Sequence, residues 1–94
     1  MQKIAIVGCG FIGRAWALSF ARAGHAVALW DEQPGAVDKA LQYIDMLLPD
    51  LATNGLLRGA RVDDVRGRMR AASSLEDALS GAVHVQETRP RTWR

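Results

Sequence analysis

The sequence predicts an α/β fold in which strands and helices alternate around a parallel sheet. Short apolar runs of strand length begin at Lys3 and Ala26, and each is followed by a segment with apolar residues at helical spacing. Glycines stand at the junctions, which is typical of turns between strands and helices. This alternation indicates a doubly wound sheet with helices on both faces.

Four strands and the helices between them account for most of the chain. The predicted strands are Lys3–Val7, Ala26–Trp30, residues 69–72 and residues 82–86. The predicted helices are residues 12–23, residues 34–51 and Leu75–Leu79, with a less regular stretch at 56–68 in which Val62 and Val65 mark a short helix. We expect Gly24 to end the first helix in the left-handed conformation, and Ser73 or Ser74 to cap the last one.

Apolar spacing predicts which side of each long helix is buried. In the first helix, the residues at intervals of three and four are Ile12, Ala15, Trp16, Ser19, Phe20 and Ala23. In the second helix they are Val37, Leu41, Ile44, Leu48 and Leu51. We expect both helices to lie against the sheet through these residues.

The first strand leads into three glycines with the spacing G-x-G-x-x-G: Gly8, Gly10 and Gly13. Gly8 permits a tight turn, Gly10 lets the backbone approach a pyrophosphate, and Gly13 lets the helix pack closely on the sheet. Unpaired backbone N–H groups at the start of the helix then face the phosphates. The motif predicts a dinucleotide site because it follows a strand and opens a helix.

Asp31 ends the second strand eighteen residues after Gly13, near the spacing of about 20 at which a ribose-binding acid is found. Its neighbour is Glu32 rather than an arginine, so a 2′-phosphate would meet two carboxylates and no cation. The sequence therefore favours NAD over NADP. FAD-binding domains share the glycine motif and are a less favoured alternative.

The predicted sheet is an incomplete Rossmann-type sheet of four strands in the order 3-2-1-4, whereas the full fold has six. Strands one and four flank the switch point at which ligands bind in such sheets. Glu87 follows the fourth strand and would lie near the bound cofactor. A surface carboxylate with no role in binding is an equally good interpretation of Glu87.

Composition excludes several other classes of protein. The net charge is +2, but Arg89, Arg91 and Arg94 lie in the last six residues, and removing these three cations leaves −1. Nucleic-acid binding is disfavoured because basic residues do not spread over one face. The amino-terminal apolar run is too short for a signal peptide or a membrane span. We expect a cytoplasmic protein with no metal site and no membrane contact.

The single cysteine, Cys9, lies inside the glycine motif and cannot form an internal disulfide. We expect it to pack rather than to react. A helix amino terminus can lower a thiol pKa, however, so modification of Cys9 that blocks the cofactor is a second possibility. His25 and His84 are expected to be structural.

Several segments together resemble the NAD-binding domain of the 3-hydroxyacyl-CoA dehydrogenase family. These segments are residues 3–17 around the glycine motif, Trp30-Asp31, residues 74–78 and residues 81–87. The sequences Arg-Ala-Trp-Ala from Arg14 and Val-His-Val-Gln-Glu from Val83 look most like the lambda-crystallin and L-gulonate 3-dehydrogenase branch. The resemblance implies that Gly8, Gly10, Phe11, Ile12 and Gly13 line the pyrophosphate, that Asp31 binds the ribose, and that Glu87 lies near the nicotinamide.

The same resemblance implies oxidation of a 3-hydroxyl group, with a histidine as general base and hydride transfer to NAD. That histidine, the helical domain that closes the substrate cleft and the homodimer interface would all lie beyond residue 94. We therefore expect a cofactor-binding part that is inactive alone. A non-catalytic dinucleotide-binding module and an inactive truncated remnant are the alternatives.

The substrate is expected to be a small hydroxy acid or a hydroxyacyl thioester. Asp38, Asp45 and Asp50 lie in the second helix against one cation, Lys39. This charge would repel the phosphates of CoA and slightly favours a sugar acid or another small hydroxy acid.

The resemblance breaks after Glu87. We interpret residues 1–87 as a partial NAD-binding domain and residues 88–94 as an aberrant basic tail. A change of reading frame explains this tail, because codons for Pro-Glu-Asp-Leu-Glu read one nucleotide out of frame can give Pro-Arg-Thr-Trp-Arg. A genuine short basic tail is the alternative.

Overall fold

A computed structural model describes residues 1–89 as one parallel sheet flanked by helices. The strands are β1 Lys3–Val7, β2 Ala26–Trp30, β3 Met69–Ala71 and β4 His84–Glu87. The helices are α1 Phe11–Arg22, α2 Ala36–Thr53, α3 Val62–Gly67 and α4 Leu75–Leu79. The strand order is β3-β2-β1-β4, with every neighbouring pair parallel, which confirms the predicted fold class.

Strand β1 lies at the centre of the sheet and sets the register of its neighbours. Val7, its last residue, is opposite Trp30 of β2 and Glu87 of β4. Three loops distant in sequence therefore leave the sheet at one edge. In parallel sheets this carboxyl edge is where ligands bind.

The main hydrophobic core lies between one face of the sheet and helices α1, α2 and α3. Its largest fully buried side chains include Ile6, Leu29, Ile44, Leu48 and Val65. The opposite face carries a smaller cluster in which Ala5 and Ala28 pack against Ala78 of α4. Bulky side chains thus fill the space between the sheet and helices α1, α2 and α3. On the opposite face, alanines let the short helix α4 lie close to the sheet.

The buried face of α1 differs from the predicted one. Gly13, Ala17 and Ala21 are buried, whereas Ile12 and Trp16 are 67% and 41% exposed. The helix lies so close to the sheet that only small residues fit in the interface. Apolar spacing therefore identified only part of the buried side of α1, because Phe20 packs against the core whereas Ile12 and Trp16 do not.

The other elements follow the sequence with small shifts. Helix α2 buries Ala40, Ile44 and Leu48 and continues past Pro49 to Thr53. The short helix marked by Val62 and Val65 is α3. Strand β4 begins at His84, two residues later than expected, and ends one residue later.

The predicted helix ends are also found. The backbone N–H of Asp77 donates to the Ser74 hydroxyl at 3.0 Å, which caps α4. Gly24 has φ +102°, in the region that favours glycine, directly after α1 and its cap.

The close contact of α1 with the sheet can be tested by enlarging a residue at the interface. Ala17 is fully buried, so Ala17→Leu should lower the free energy of unfolding by about 1–3 kcal/mol through overpacking. Ala15→Leu, on an exposed position of the same helix, is the matched control and should have little effect. Chemical denaturation measures both changes. Equal stability of the two variants would contradict the assigned helix face.

Candidate dinucleotide-binding site

A cleft of about 630 Å³ opens at the carboxyl edge of the sheet. It is formed by the turn after β1, the start of α1, the segment after β2 and the segment after β4. The lining residues are Gly8, Cys9, Gly10, Phe11, Ile12, Gly13, Asp31, Glu32, Gln33, Thr88 and Arg89. Six of the seven residues predicted to bind the cofactor are therefore brought together. The seventh, Glu87, is not a lining residue but directly precedes Thr88 in the chain.

The glycine turn has a separate steric requirement at each position. Gly8 has φ +100°, and its N–H donates to the Trp30 carbonyl at 2.9 Å. A Cβ on Gly13 would collide with the carbonyl oxygen of Gly8, so α1 can begin here only with glycine at this position. A Cβ on Gly10 would meet no atom within 4 Å, which places this residue at the open side of the turn.

The amino terminus of α1 faces the cleft, and no side chain within residues 1–89 caps it. Gly10 is the N-cap residue and supplies no side-chain hydrogen bond, and the first turn contains no acidic residue. The first helical bond runs from Arg14 N–H to the Gly10 carbonyl at 3.0 Å. The N–H groups of the first turn have no acceptor within the helix and lie at the positive end of the helix dipole. This end of α1 fits a diphosphate.

Asp31 is held in place by two backbone bonds. Its Oδ2 accepts from the Cys9 N–H and its Oδ1 from the Gln33 N–H, both at 2.8 Å. Each carboxylate oxygen can accept more than one hydrogen bond. The carboxylate is therefore oriented by the chain and keeps capacity for the hydroxyls of a ribose.

Phe11 and Ile12 lie at the lip of the cleft and are 74% and 67% exposed. The Phe11 ring contacts Tyr43 of α2 edge to face, with centroids 5.9 Å apart. The Arg14 guanidinium lies 5.1 Å from both ring centroids. Phe11 thus ties the start of α1 to α2 at the entrance of the cleft.

Glu87 ends β4 opposite Val7, where the strand order predicts it. Its carboxylate bonds with Arg89, with Nη2 at 2.7 Å from Oε2 and Nε at 2.9 Å from Oε1. The Arg89 backbone N–H donates to Oε1 as well, at 2.9 Å. The role of Glu87 near the nicotinamide stays a prediction.

Thr88 and Arg89 line the cleft although they were assigned to the basic tail. The Thr88 hydroxyl donates to the Gly8 carbonyl at 2.7 Å, and its N–H donates to the Val7 carbonyl at 2.8 Å. The strand order itself indicates such a contact, because the residue after β4 must leave the sheet beside the turn after β1. The division at residue 87 stays a prediction, and residues 90–94 lie outside the described part of the chain.

Arg89 also changes the expected charge of the site. The sequence suggested that a 2′-phosphate would meet two carboxylates and no cation, but Arg89 lines the same cleft as Asp31 and Glu32. Its pKa is raised, chiefly by the hydrogen bonds to Glu87 and to a smaller extent by Glu32 and Asp31. The Arg89 cation is thus surrounded by the carboxylates of Glu87, Glu32 and Asp31.

Cys9 is buried beneath the turn, with its thiol 3.5 Å from the Trp30 carbonyl. Burial, with Asp31 as a second cause, raises the pKa of this thiol to about 12. The suggestion that the helix terminus lowers this pKa is wrong, because desolvation and a nearby carboxylate both disfavour the thiolate. The packing role expected for Cys9 agrees with its burial.

Neither histidine lines the cleft. His25 contacts Phe20, with ring centroids 6.1 Å apart, and His84 lies 5.6 Å from the same ring while bonding Gln86 at 3.1 Å. Within residues 1–89 no group of three His, Cys, Asp or Glu side chains could hold a metal ion. In this range no helix has the length and apolar character needed to cross a membrane.

Comparison with known families agrees with this geometry. Residues 3–91 match the family described as the NAD-binding domain of 3-hydroxyacyl-CoA dehydrogenase. The chain belongs to this family. NAD is accordingly its cofactor, as predicted, and the FAD alternative is set aside. The turn at Gly8, the open terminus of α1 and the anchored Asp31 fit that cofactor.

Two curated relatives match most of this chain, and the first of them is from the predicted lambda-crystallin branch. A lambda-crystallin homolog from Bos taurus is 39% identical over 88 residues, which cover 93% of this chain and 27% of the relative. An L-carnitine dehydrogenase from Streptomyces griseus is 37% identical over 90 residues, which cover 96% of this chain and 26% of the relative. The chain thus spans about a quarter of the length of these proteins.

Solved structures show the same fold. The 3-hydroxybutyryl-CoA dehydrogenase of Escherichia coli superposes with a TM-score of 0.80 and 29% identity, over 92% of this chain and 18% of that one. The (S)-3-hydroxybutyryl-CoA dehydrogenase of Ralstonia eutropha gives 0.84 and 25%, over 99% and 32%. This NAD-binding domain therefore has the backbone of its family over nearly its whole length.

Substitutions at Gly13 and Gly10 should differ in their effect on the stability of the folded chain. Gly13→Ala should lower the free energy of unfolding by about 2 kcal/mol or more, because its Cβ meets backbone that cannot move without shifting α1. Gly10→Ala faces open space and should keep stability within about 1 kcal/mol. Urea denaturation without ligand measures both. A Gly13→Ala variant as stable as Gly10→Ala would contradict the close contact.

The buried thiol should be protected from alkylation. With a pKa of about 12 instead of 9, Cys9 has roughly a thousandfold less thiolate at a given pH than an ordinary thiol. Iodoacetamide at pH 8 should therefore react slowly with the folded chain and rapidly in urea. Since the folded state holds this proton between pH 9 and pH 12, the contribution of the thiol to stability falls as the pH rises through that window. Equal alkylation rates with and without urea would contradict burial of Cys9.

Proposed function

We propose that this chain is the cofactor-binding part of an NAD-dependent oxidoreductase that oxidises a 3-hydroxyl group. The observation that supports this most strongly is the pairing of an open glycine turn with an anchored carboxylate. The Cys9 N–H in that turn donates to Asp31 at 2.8 Å, so the phosphate and ribose positions are fixed relative to each other. The chain covers only about a quarter of its curated relatives, and activity of the whole protein is part of the proposal.

The residues of the cleft divide the binding of NAD between them. Backbone N–H groups at the start of α1 hold the diphosphate, next to Gly8, Gly10 and Gly13, with Phe11 and Ile12 at the lip. Asp31 accepts hydrogen bonds from the ribose hydroxyls. Glu87, at the end of β4, lies toward the nicotinamide. Bound NAD supplies the hydride acceptor, and the protein orients it.

Oxidation of a hydroxyl also needs a group that accepts its proton. No histidine among the described residues lines the cleft, since His25 and His84 both pack near Phe20. We infer that this proton acceptor comes from outside the described residues. A non-catalytic NAD-binding role is the second candidate, and the same lack of a histidine among the described residues of the cleft favours it.

A small 3-hydroxy acid is the proposed substrate class, in preference to a CoA thioester. The 37% identity to an L-carnitine dehydrogenase supports this choice. Asp38 and Asp50 on α2 add weak repulsion of CoA phosphates, while Asp45 contributes less because Arg66 pairs with it at 2.6 Å. A homodimeric assembly and a cytoplasmic location belong to the same proposal, and the single buried Cys9 is compatible with a reducing compartment.

The ribose role of Asp31 is tested by Asp31→Ala. The variant should bind NAD at least about tenfold more weakly, because two hydrogen bonds to a charged acceptor are lost. It should bind NADP about as well as before, since a carboxylate that repels the 2′-phosphate is removed. Isothermal titration calorimetry with both cofactors gives the ratio of the two affinities.

Asp50→Ala removes an equal charge from the exposed face of α2 and is the control. The affinity ratio separates a specific effect from a general loss of folded protein, which would weaken both cofactors equally. An unchanged ratio of NAD to NADP affinity would contradict the ribose role of Asp31.

A further inference from the structure

Arg89 lies over the glycine turn, close to the position proposed for the adenosine. A Cβ on Gly8 would stand 2.9 Å from the Arg89 backbone nitrogen and 3.1 Å from its Cγ. The side chain extends from there toward β2, where its Cζ lies 6.0 Å from the centroid of the Trp30 ring. Arg89 therefore bridges the two loops that leave β4 and β2.

The guanidinium is held in a fixed orientation. Nε and Nη2 both bond the Glu87 carboxylate, at 2.9 and 2.7 Å, which is the side-on pairing of a planar fork with a carboxylate. These bonds use the edge of the group. The Cζ lies over the Trp30 ring, and the opposite planar face remains for stacking on a second aromatic ring, which the compact ammonium of lysine cannot do.

The surrounding charge disfavours a phosphate at this position. Glu87 pairs with the cation, and Glu32 and Asp31 are close enough to affect its pKa. Three carboxylates around one guanidinium leave a net negative environment. A flat, uncharged ring fits this position better than the diphosphate, whose proposed binding site is the start of α1.

The ribose position fixes where the next group of the cofactor must lie. With the diphosphate at α1 and the ribose at Asp31, the base extends beyond Asp31 and away from the helix. Glu32, Gln33 and Arg89 line the same cleft as Asp31, and the Arg89 Cζ lies 6.0 Å from the ring of Trp30, the residue before Asp31. Among Glu32, Gln33 and Arg89, only Arg89 has a planar cationic group.

We propose that Arg89 stacks on the adenine ring of NAD and that Glu87 is the positioning residue that holds its guanidinium plane. This inference rests on the proposed function, because it takes the ribose at Asp31 as its starting point. It gives the segment after β4 a part in binding the adenosine half of the cofactor, and it turns the Glu87 carboxylate toward that half in place of the nicotinamide.

The test uses the full chain and ADP-ribose, which contains the adenosine and the diphosphate but no nicotinamide. Arg89→Ala should weaken ADP-ribose binding about fivefold, as expected for loss of one cation–π contact. Arg89→Lys keeps a cation that can still lie near the ring but has no planar group to stack, so its affinity should stay below that of the unaltered chain. Titration calorimetry measures the affinities, and circular dichroism confirms that each variant is folded.

Arg61→Ala is the matched control, since Arg61 is exposed at the start of α3 and does not line the cleft. Glu87→Gln is a second variant that leaves Arg89 in place but weakens its restraint, and it should lower ADP-ribose affinity about twofold. A nicotinamide-side role of Glu87 would not affect this ligand.

The outcomes separate this proposal from the one on which it rests. Full affinity of Arg89→Ala, or full affinity of Arg89→Lys, would overturn planar stacking while leaving NAD binding intact; the second result would indicate a charge contact with the diphosphate. Full affinity of Glu87→Gln would overturn the positioning role. Failure of the unaltered chain to bind ADP-ribose would overturn both proposals.

Discussion

The contact between Gly13 and the Gly8 carbonyl is the constraint on which the rest of the site depends. No side chain fits between them, so α1 begins directly over the end of β1. Ala17 and Ala21 continue this close approach one and two turns further along the helix. Because the helix is set by its contact with the sheet, its amino terminus is fixed at the cleft rather than free to move away from it.

A second constraint joins segments that are far apart in the chain. The turn after β1 is bonded to β2 through Gly8 and Asp31, and to the end of β4 through the Thr88 hydroxyl. All three strands point the same way, so their carboxyl ends supply these groups at one edge. The cleft is therefore a property of the parallel register, and a shift of one strand would separate the residues that line it.

Local chemistry made much of the fold predictable. The left-handed Gly24, the Ser74 cap and the glycine turn each follow from short-range rules, and the strand order follows from the fold class rather than from any local pattern. Asp31 could be placed as well, because a strand of known length ends there. The buried side of α1 could not be predicted from apolar spacing, since the helix packs through Gly13 and Ala17 and leaves Trp16 partly exposed. Spacing identifies large apolar residues, whereas this interface selects small ones.

The family, the cofactor and the residues of the glycine turn can be read from the amino-acid sequence, because the requirements for a turn and a helix start are met by neighbours in the chain. The surroundings of those residues depend on how the chain folds. It buried Cys9 beside Asp31, which raises the thiol pKa, and it brought Thr88 and Arg89 against Gly8 across some eighty residues of chain. Desolvation and contacts between distant segments depend on how the strands are ordered in space, and no local pattern contains that information.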